Sequence, residues 1–302
     1  MVTRPNPQKK DLLIHKITRK ISFGQWFSPI NLQLFEEQVK TMKLDYYRKK
    51  LTTESFLKLL LFAQLEEVES LHPLGDCLFD NQLQKGIDLD SICISQLSHR
   101  LNGLNPNLFQ RHFLDLVSQI HVKTHYTKLM MPLKIIDSST LPLNLTNHKW
   151  GEFRKTKAGV KLHLRLVFME NGTSYPEKAV ITTAKEHNRG QLEIMVDDKE
   201  FMYVFDRGYL DYERFDRMTD EGYFFLSRLR KNAVIWEVYN FKQPEHFSVL
   251  SDPMVLIVTT QNRAENYFHL IKVLDTKGNE LHLITNLFNL SAEEISEMYK
   301  SR

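Results

Sequence analysis

Near residue 130 the apolar residues change their spacing, and the change divides the chain into a helical part and a strand-rich part. Up to residue 121 they recur every three or four positions, as in Leu32-Leu34-Phe35-Val39 and Phe56-Leu57-Leu60-Leu61, with Thr52 or Thr53 available to cap the second run. Ser91–Leu101 and Asn107–Ile120 continue the pattern across the turn-rich break Asn102-Gly103-Leu104-Asn105-Pro106. That pair is open to two readings: a helix-turn-helix presenting Gln96, Ser98, His99 and Arg100 to DNA, or a packed helical hairpin.

Beyond residue 130 the period is two. Leu133-Lys134-Ile135-Ile136-Asp137 is a short apolar run ending on a carboxylate. Val160 to Phe168 then alternates, with leucines on one side and Lys161, His163 and Arg165 on the other, which predicts a half-buried strand with a basic face. Lys178–Ala184 is a third strand, Gln191–Lys199 a helical link, and Phe201–Asp206 a fourth strand that also ends on an aspartate. A helix over Tyr212–Glu221, closed by Gly222, leads to a fifth strand at Tyr223–Leu229. The order β-β-β-α-β-α-β predicts an α/β fold with a mixed sheet. Strand-like runs at Val234–Tyr239, Met254–Thr260, Tyr267–Leu274 and Glu280–Thr285 follow, so a β-rich insertion is expected over about 231–286. The expected domains are a helical one over 1–125 and an α/β one over 130–302.

The last segment opens with a capping box, Ser291-Ala292-Glu293-Glu294, and places Ile295, Met298, Tyr299 and Arg302 at one-turn spacing. Neither Gly nor Pro follows Ser291, so a truncated helix is expected.

Charge sharpens this outline only when divided along the chain. Residues 1–60 hold twelve Lys/Arg against five Asp/Glu, net +7, and residues 61–121 hold three against eight, net −5. A basic arm of that kind suits a phosphate backbone, because each neutralised phosphate releases a counterion. No apolar run reaches the roughly 20 residues a bilayer requires, and the N-terminus lacks the pattern of a secretory signal; no membrane association and a cytoplasmic location are expected. Cys77 and Cys93 have no zinc-ligand spacing and are expected to be buried small hydrophobes. His148, His163 and His187 likewise lack close-spaced partners.

Carboxylates closing two central strands are well placed to bind hard divalent cations, which prefer oxygen ligands. Asp137 and Asp206 are those candidates. Lys149, Trp150, Phe153, Arg154, Lys155 and Lys157 interleave charge with aromatics after the first of them, a composition that suits DNA or a flexible surface loop.

Three blocks carry a family resemblance: Leu133-Lys134-Ile135-Ile136-Asp137-Ser138-Ser139-Thr140, Gly159-Val160-Lys161-Leu162-His163, and Phe205-Asp206-Arg207-Gly208-Tyr209-Leu210-Asp211-Tyr212. Over about residues 40–302 the chain resembles bacterial DDE transposases of the insertion-sequence-four family. The resemblance implies a ribonuclease-H-like core and Mg²⁺ (or Mn²⁺) held by Asp137 and Asp206. It also implies DNA contacts from Tyr299, Arg302, Lys161, Arg207, Lys155 and Lys157, DNA as partner, and a homodimer when two element ends are synapsed. Tyr299-Lys300-Ser301-Arg302 is similar to the first half of the family's last signature, whose catalytic Glu is expected four residues beyond Arg302. Glu297 would lie about 13 Å back along the helix and on its opposite face, and Glu294 about 18 Å back, so neither substitutes. The expected function is therefore cleavage and strand transfer at the ends of an insertion sequence, with this chain expected to be inactive alone. The alternative is a non-catalytic DNA-binding remnant.

Overall fold

A computed structural model describes residues 27–123, 132–168, 174–241, 249–258 and 264–300. The chain divides into two compact units, Met1–Lys123 and Thr124–Arg302. Among the described residues no helix is long and apolar enough to cross a membrane.

The first unit is helical, with α1 at Leu32–Thr41, α2 at Thr53–Leu65, α3 at Leu71–Cys77, α4 at Asn81–Ile87, α5 at Ile94–Gly103 and α6 at Asn107–Lys123. Of the two threonines offered as a cap for α2, Thr52 does the work by accepting from the Ser55 amide at 3.1 Å. Phe56, Leu59, Ile87 and Leu97 form the unit's centre, each contributing about 1.5–3 kcal/mol by leaving water. The DNA-reading surface expected on α5 is only partly present. Gln96 and His99 are exposed, but Arg100 retains just 2% of its accessible surface. Its guanidinium donates to the Leu44 carbonyl at 2.9 Å, to Asp45 Oδ1 at 2.6 Å and to the Thr53 hydroxyl. Arg100 is a clasp inside the unit, because a buried guanidinium must satisfy its donors with protein acceptors.

In the second unit the described strands build one mixed sheet. Its core strands are β1 (Leu133–Leu143), β3 (Lys157–Phe168), β4 (Ser174–Thr183), β5 (Met202–Phe205) and β6 (Phe224–Arg228). They lie in the order β4-β3-β1-β5-β6, antiparallel from β4 to β1 and parallel from β1 to β6. A short β2 (Glu152–Arg154) forms a hairpin with the start of β3. The β-rich segment does not make a sheet of its own. β11 (Glu280–Thr285) anneals antiparallel to β6 and is followed outward by β10 (Phe268–Leu274), β9 (Pro253–Ile257) and β7 (Ile235–Asn240), with β8 (Val249–Ser251) paired to β10. The chain is thus α/β, helices first.

Two apolar layers sandwich this sheet. On one face Ile136, Tyr203, Phe205 and Phe225 pack with Leu192 and Met195 of α7 (Leu192–Met195) and with Phe215 and Met218 of α8 (Tyr212–Asp220). On the other, Leu133, Ile135, Met202, Val204 and Leu226 pack with Ala292 and Ile295 of α9 (Ala292–Lys300). The expected capping box of α9 is present: the Ser291 hydroxyl accepts from the Glu294 amide at 3.2 Å, and the Glu294 carboxylate accepts from the Ser291 amide at 2.8 Å.

The cysteines expected inside are not buried: Cys77 is half-buried and Cys93 exposed. Two further expectations change. The basic side of β3 is the buried side: His163 and Arg165 are buried, whereas the leucines opposite are half-buried. Arg165 is compensated by Glu177 at 2.7 Å, Asp197 at 2.5 Å and the Met195 carbonyl at 2.6 Å. Buried Lys134 is paired with Asp198 at 3.2 Å and Glu177 at 3.3 Å. Period-two patterning finds the two sides of a strand but reverses them when the charges carry their own counterions inside. The second change is that β1 does not stop at Asp137; it runs to Leu143, paired throughout with β3.

Candidate active site

In the parallel pair β1/β5, Ile136 stands opposite Phe205. The next residues are Asp137 and Asp206, neighbours on backbones about 4.8 Å apart. Side chains alternate along a strand, so Asp137 continues the row of Leu133 and Ile135, and Asp206 that of Met202 and Val204. Both rows belong to the layer that packs under α9. The two carboxylates therefore project to one face, at the carboxyl end of the parallel strands, where ligands of open α/β sheets gather. Asp137 is exposed and Asp206 half-buried.

The Asp-Arg-Gly-Tyr block acquires a physical reason for each residue. Asp206 Oδ1 accepts from the Gly208 amide at 2.8 Å and so caps the 3₁₀ turn Arg207–Tyr209. Gly208 is needed because a Cβ there would meet Asp206 Oδ1 at 2.9 Å and Asn188 Nδ2 at 3.0 Å. Tyr209 is fully buried, with its hydroxyl 3.0 Å from His163 Nδ1, and His163 Nε2 meets the Thr182 hydroxyl at 3.1 Å. Burial first, and the nearby Lys161 charge second, hold the His163 imidazole below its ordinary pKa. Arg207 stays exposed.

Beneath the aspartates runs a polar chain that the sequence did not disclose. Asn188 Nδ2 donates to Ser138 Oγ at 2.9 Å, and Asn188 Oδ1 accepts from Lys161 Nζ at 2.8 Å. Lys161 Nζ also donates to the Glu186 carbonyl at 2.8 Å, and Asp137 Oδ1 accepts from the Ser138 amide at 2.8 Å. Asn188 thus ties Ser138 of β1 to Lys161 of β3 and lies beside Gly208 in the turn of Asp206. Its signal in the sequence was only a polar His-Asn-Arg-Gly stretch between two strands.

The remaining expected site residues are dispersed. Lys155 and Lys157 are exposed at the β2/β3 hairpin, where Leu143 pairs with Ala158. The six residues of β1 from Asp137 to Leu143 span about 20 Å at ~3.4 Å each, so these lysines do not adjoin the aspartate they follow in sequence. The same hairpin presents Trp150, 64% exposed. Lys161 sits in the polar chain just described. Tyr299 is half-buried against the layer under α9. Arg302 lies outside the described residues.

Among the described residues no group of three or more Asp, Glu, His or Cys side chains is arranged to hold a metal ion. Asp137, exposed, and Asp206, half-buried, nonetheless bring hard oxygen donors to the ends of neighbouring strands, which suits a divalent cation that retains water or phosphate ligands.

Comparison with known proteins bears on this geometry. Residues 129–302 match the transposase DDE domain family, and residues 18–86 match a domain of unknown function (DUF4372). The chain is 26% identical over 211 residues to a probable transposase for insertion sequence element IS5377 from Geobacillus stearothermophilus. That alignment covers 69% of this chain and 55% of the relative, so the chain spans about half the length of the curated relative it matches. The NurA nuclease from Sulfolobus solfataricus aligns with 69% of the chain and 86% of its own at 9% identity and a TM-score of 0.29, too remote to bear on fold or chemistry.

Proposed function

From the premise that this chain belongs to the transposase DDE domain family, we propose that it serves the cutting and rejoining of DNA at the ends of an insertion sequence. The observation that carries the reading is the placement of Asp137 and Asp206 on adjacent parallel strands, on the face that α9 covers. The order β4-β3-β1-β5-β6 supports a ribonuclease-H-like core for it. The family is generally dependent on divalent metal.

Asp137 and Asp206 are the residues of this chain that would hold Mg²⁺ or Mn²⁺. Such ions, when bound, supply a polarised water and a counter-charge for the leaving oxygen of a phosphodiester. The chain's own residues set the stage for that chemistry. The Gly208 amide fixes one oxygen of Asp206. Asn188 holds Ser138, next to Asp137, and lies beside Gly208 in the turn of Asp206. Arg207, Lys155, Lys157 and Arg302 supply cations and Tyr299 of α9 an aromatic for the DNA backbone, with Trp150 for stacking. DNA is the partner, two copies meet when two ends are synapsed, and the work is done in the cytoplasm, at the nucleoid.

A third carboxylate completes the cage in this proposal, the Glu that the family resemblance puts four positions past Arg302. The test is strand cleavage of labelled duplex carrying the element's ends, comparing residues 1–302, a version extended through that Glu, and the extended version with Asp206→Ala. The extended chain is expected to cut with Mg²⁺ or Mn²⁺, and Asp206→Ala to abolish cutting. Residues 1–302 are expected to bind without cutting, as a DNA-binding remnant would. Cleavage that survives both Asp137→Ala and Asp206→Ala would overturn the assignment.

A further inference from the structure

The connection between α1 and α2 carries surface that packing does not explain. Tyr46 is 66% exposed and Tyr47 90%, their rings meeting edge to face at 4.3 Å. Arg48, Lys49 and Lys50 follow, all exposed, and Lys43 is exposed on the near side. Two adjacent tyrosines left in water beside a run of three cations are costly to display and useless to the core.

This segment is built, not slack. Arg100, from α5, holds the Leu44 carbonyl at 2.9 Å and the Asp45 carboxylate at 2.6 Å. That carboxylate also accepts the Thr53 amide at 2.9 Å, and Leu51 is buried at the far end. Turn bonds from Tyr46 N to Lys43 O at 3.2 Å and from Arg48 N to Asp45 O at 2.9 Å fix the tip. Tyr47 and Lys43 sit at φ 65° and 52°, left-handed backbone that side chains beyond glycine rarely adopt. A bulky residue kept in that conformation, at the point of greatest exposure, marks a position held for something other than folding.

We propose that Tyr46–Lys50 is a DNA-gripping loop of the helical unit: Arg48, Lys49 and Lys50 neutralise successive phosphates, and Tyr47 stacks on a base or packs on a sugar beside them. The assignment rests on the reading that the chain acts on DNA. Contiguous cations give the salt-dependent share of affinity through counterion release. An exposed aromatic adds a contact that every nucleotide can satisfy and an acidic peptide cannot.

Fluorescence anisotropy with a labelled duplex oligonucleotide, across a salt series and with the 302-residue chain, tests it. Replacing Arg48, Lys49 and Lys50 together by Ala is expected to lower the slope of log affinity against log salt by about three, one for each lost phosphate contact. Tyr47→Gly separates function from folding, since glycine is at ease at φ 65°. This variant should melt at or above the wild-type temperature and yet bind about tenfold more weakly. Wild-type slope and affinity in the triple variant would overturn the loop assignment while leaving the DNA reading standing. Undiminished binding by Tyr47→Gly would overturn the role of Tyr47. Binding of polyglutamate as tight as that of DNA would refute the partner, and failure of the wild-type chain to bind duplex at any salt would sink the DNA reading itself.

Discussion

Asn188→Ala should loosen the polar chain beneath Asp137 by an amount that can be worked out. The substitution removes one neutral hydrogen bond, to Ser138 Oγ at 2.9 Å, and one charge-assisted bond, from Lys161 Nζ at 2.8 Å. Neutral bonds contribute about 1 kcal/mol net and charge-assisted ones about 1.5–3. Because Asn188 and Lys161 are half-exposed, water replaces part of the second bond, and the lower end of that range applies. The expected loss is about 2 kcal/mol of stability in the α/β unit. Ser138→Ala alone should cost about 1 kcal/mol, and in the Asn188→Ala background almost nothing, because the bond is already gone. Hydrogen exchange at the β5 and β6 amides under increasing urea measures each value for this unit by itself. The amide of Gly208, bonded to Asp206, should exchange faster in Asn188→Ala. If the two single costs add within about 0.3 kcal/mol in the double variant, the side chains do not share a bond and the polar chain is not a coupled unit.

Gly208→Ala would push a methyl against Asp206 Oδ1 at 2.9 Å and Asn188 Nδ2 at 3.0 Å; a destabilisation of about 1–3 kcal/mol is expected, and calorimetric titration with Mn²⁺ should show weaker binding than wild type. His163 has a folded-state pKa below its ordinary value, so the unfolded chain takes up its proton first. Stability from this group is present above about pH 6.5 and falls as pH drops toward the lowered value, and His163→Phe should flatten that part of the stability–pH curve measured by urea unfolding. Arg100→Met removes the partner of Asp45 and leaves the Leu44 carbonyl without its donor; the helical unit should lose about 3 kcal/mol, read as an earlier thermal transition, and an unchanged melting temperature would contradict the clasp.

The parts of the fold that could be read from sequence are those where one chemical pattern had one cause. Phe201–Asp206, apolar on both sides, is a central strand because both faces of β5 are covered. Tyr212–Glu221 shows the apolar stripe of a helix that packs through Phe215 and Met218. The extension of β1 through Ser138-Ser139-Thr140-Leu141-Pro142-Leu143 was hidden because most of those residues are exposed, so burial imposes no alternation on them, and only pairing with β3 makes them a strand. The helical link expected over Gln191–Lys199 shrinks to Leu192–Met195, since Arg165 and Lys134 draw Asp197 and Asp198 into ion pairs that a continued helix would break. Asp137 and Asp206 could be picked out because each closes an apolar run; that they hold metal is the proposal made above. Asn188 could not be, because its role depends on Ser138 and Lys161, fifty and twenty-seven residues away.

Because β11 is hydrogen-bonded to β6, the chain leaves β6 at Arg228, contributes β7 to β10 to the far edge of the same sheet, and returns one strand spacing away. Segments whose ends are held together tolerate changes of length well: doubling a flexible loop costs only about 0.6 kcal/mol. The strands themselves are less free, since Ile271 and Val273 of β10 belong to the layer under α9, so it is the turns between them whose length can vary. For a protein engineer the exposed Lys277-Gly278-Asn279 turn between β10 and β11 therefore marks a place where a foreign segment could be inserted without disturbing the face that carries the aspartates.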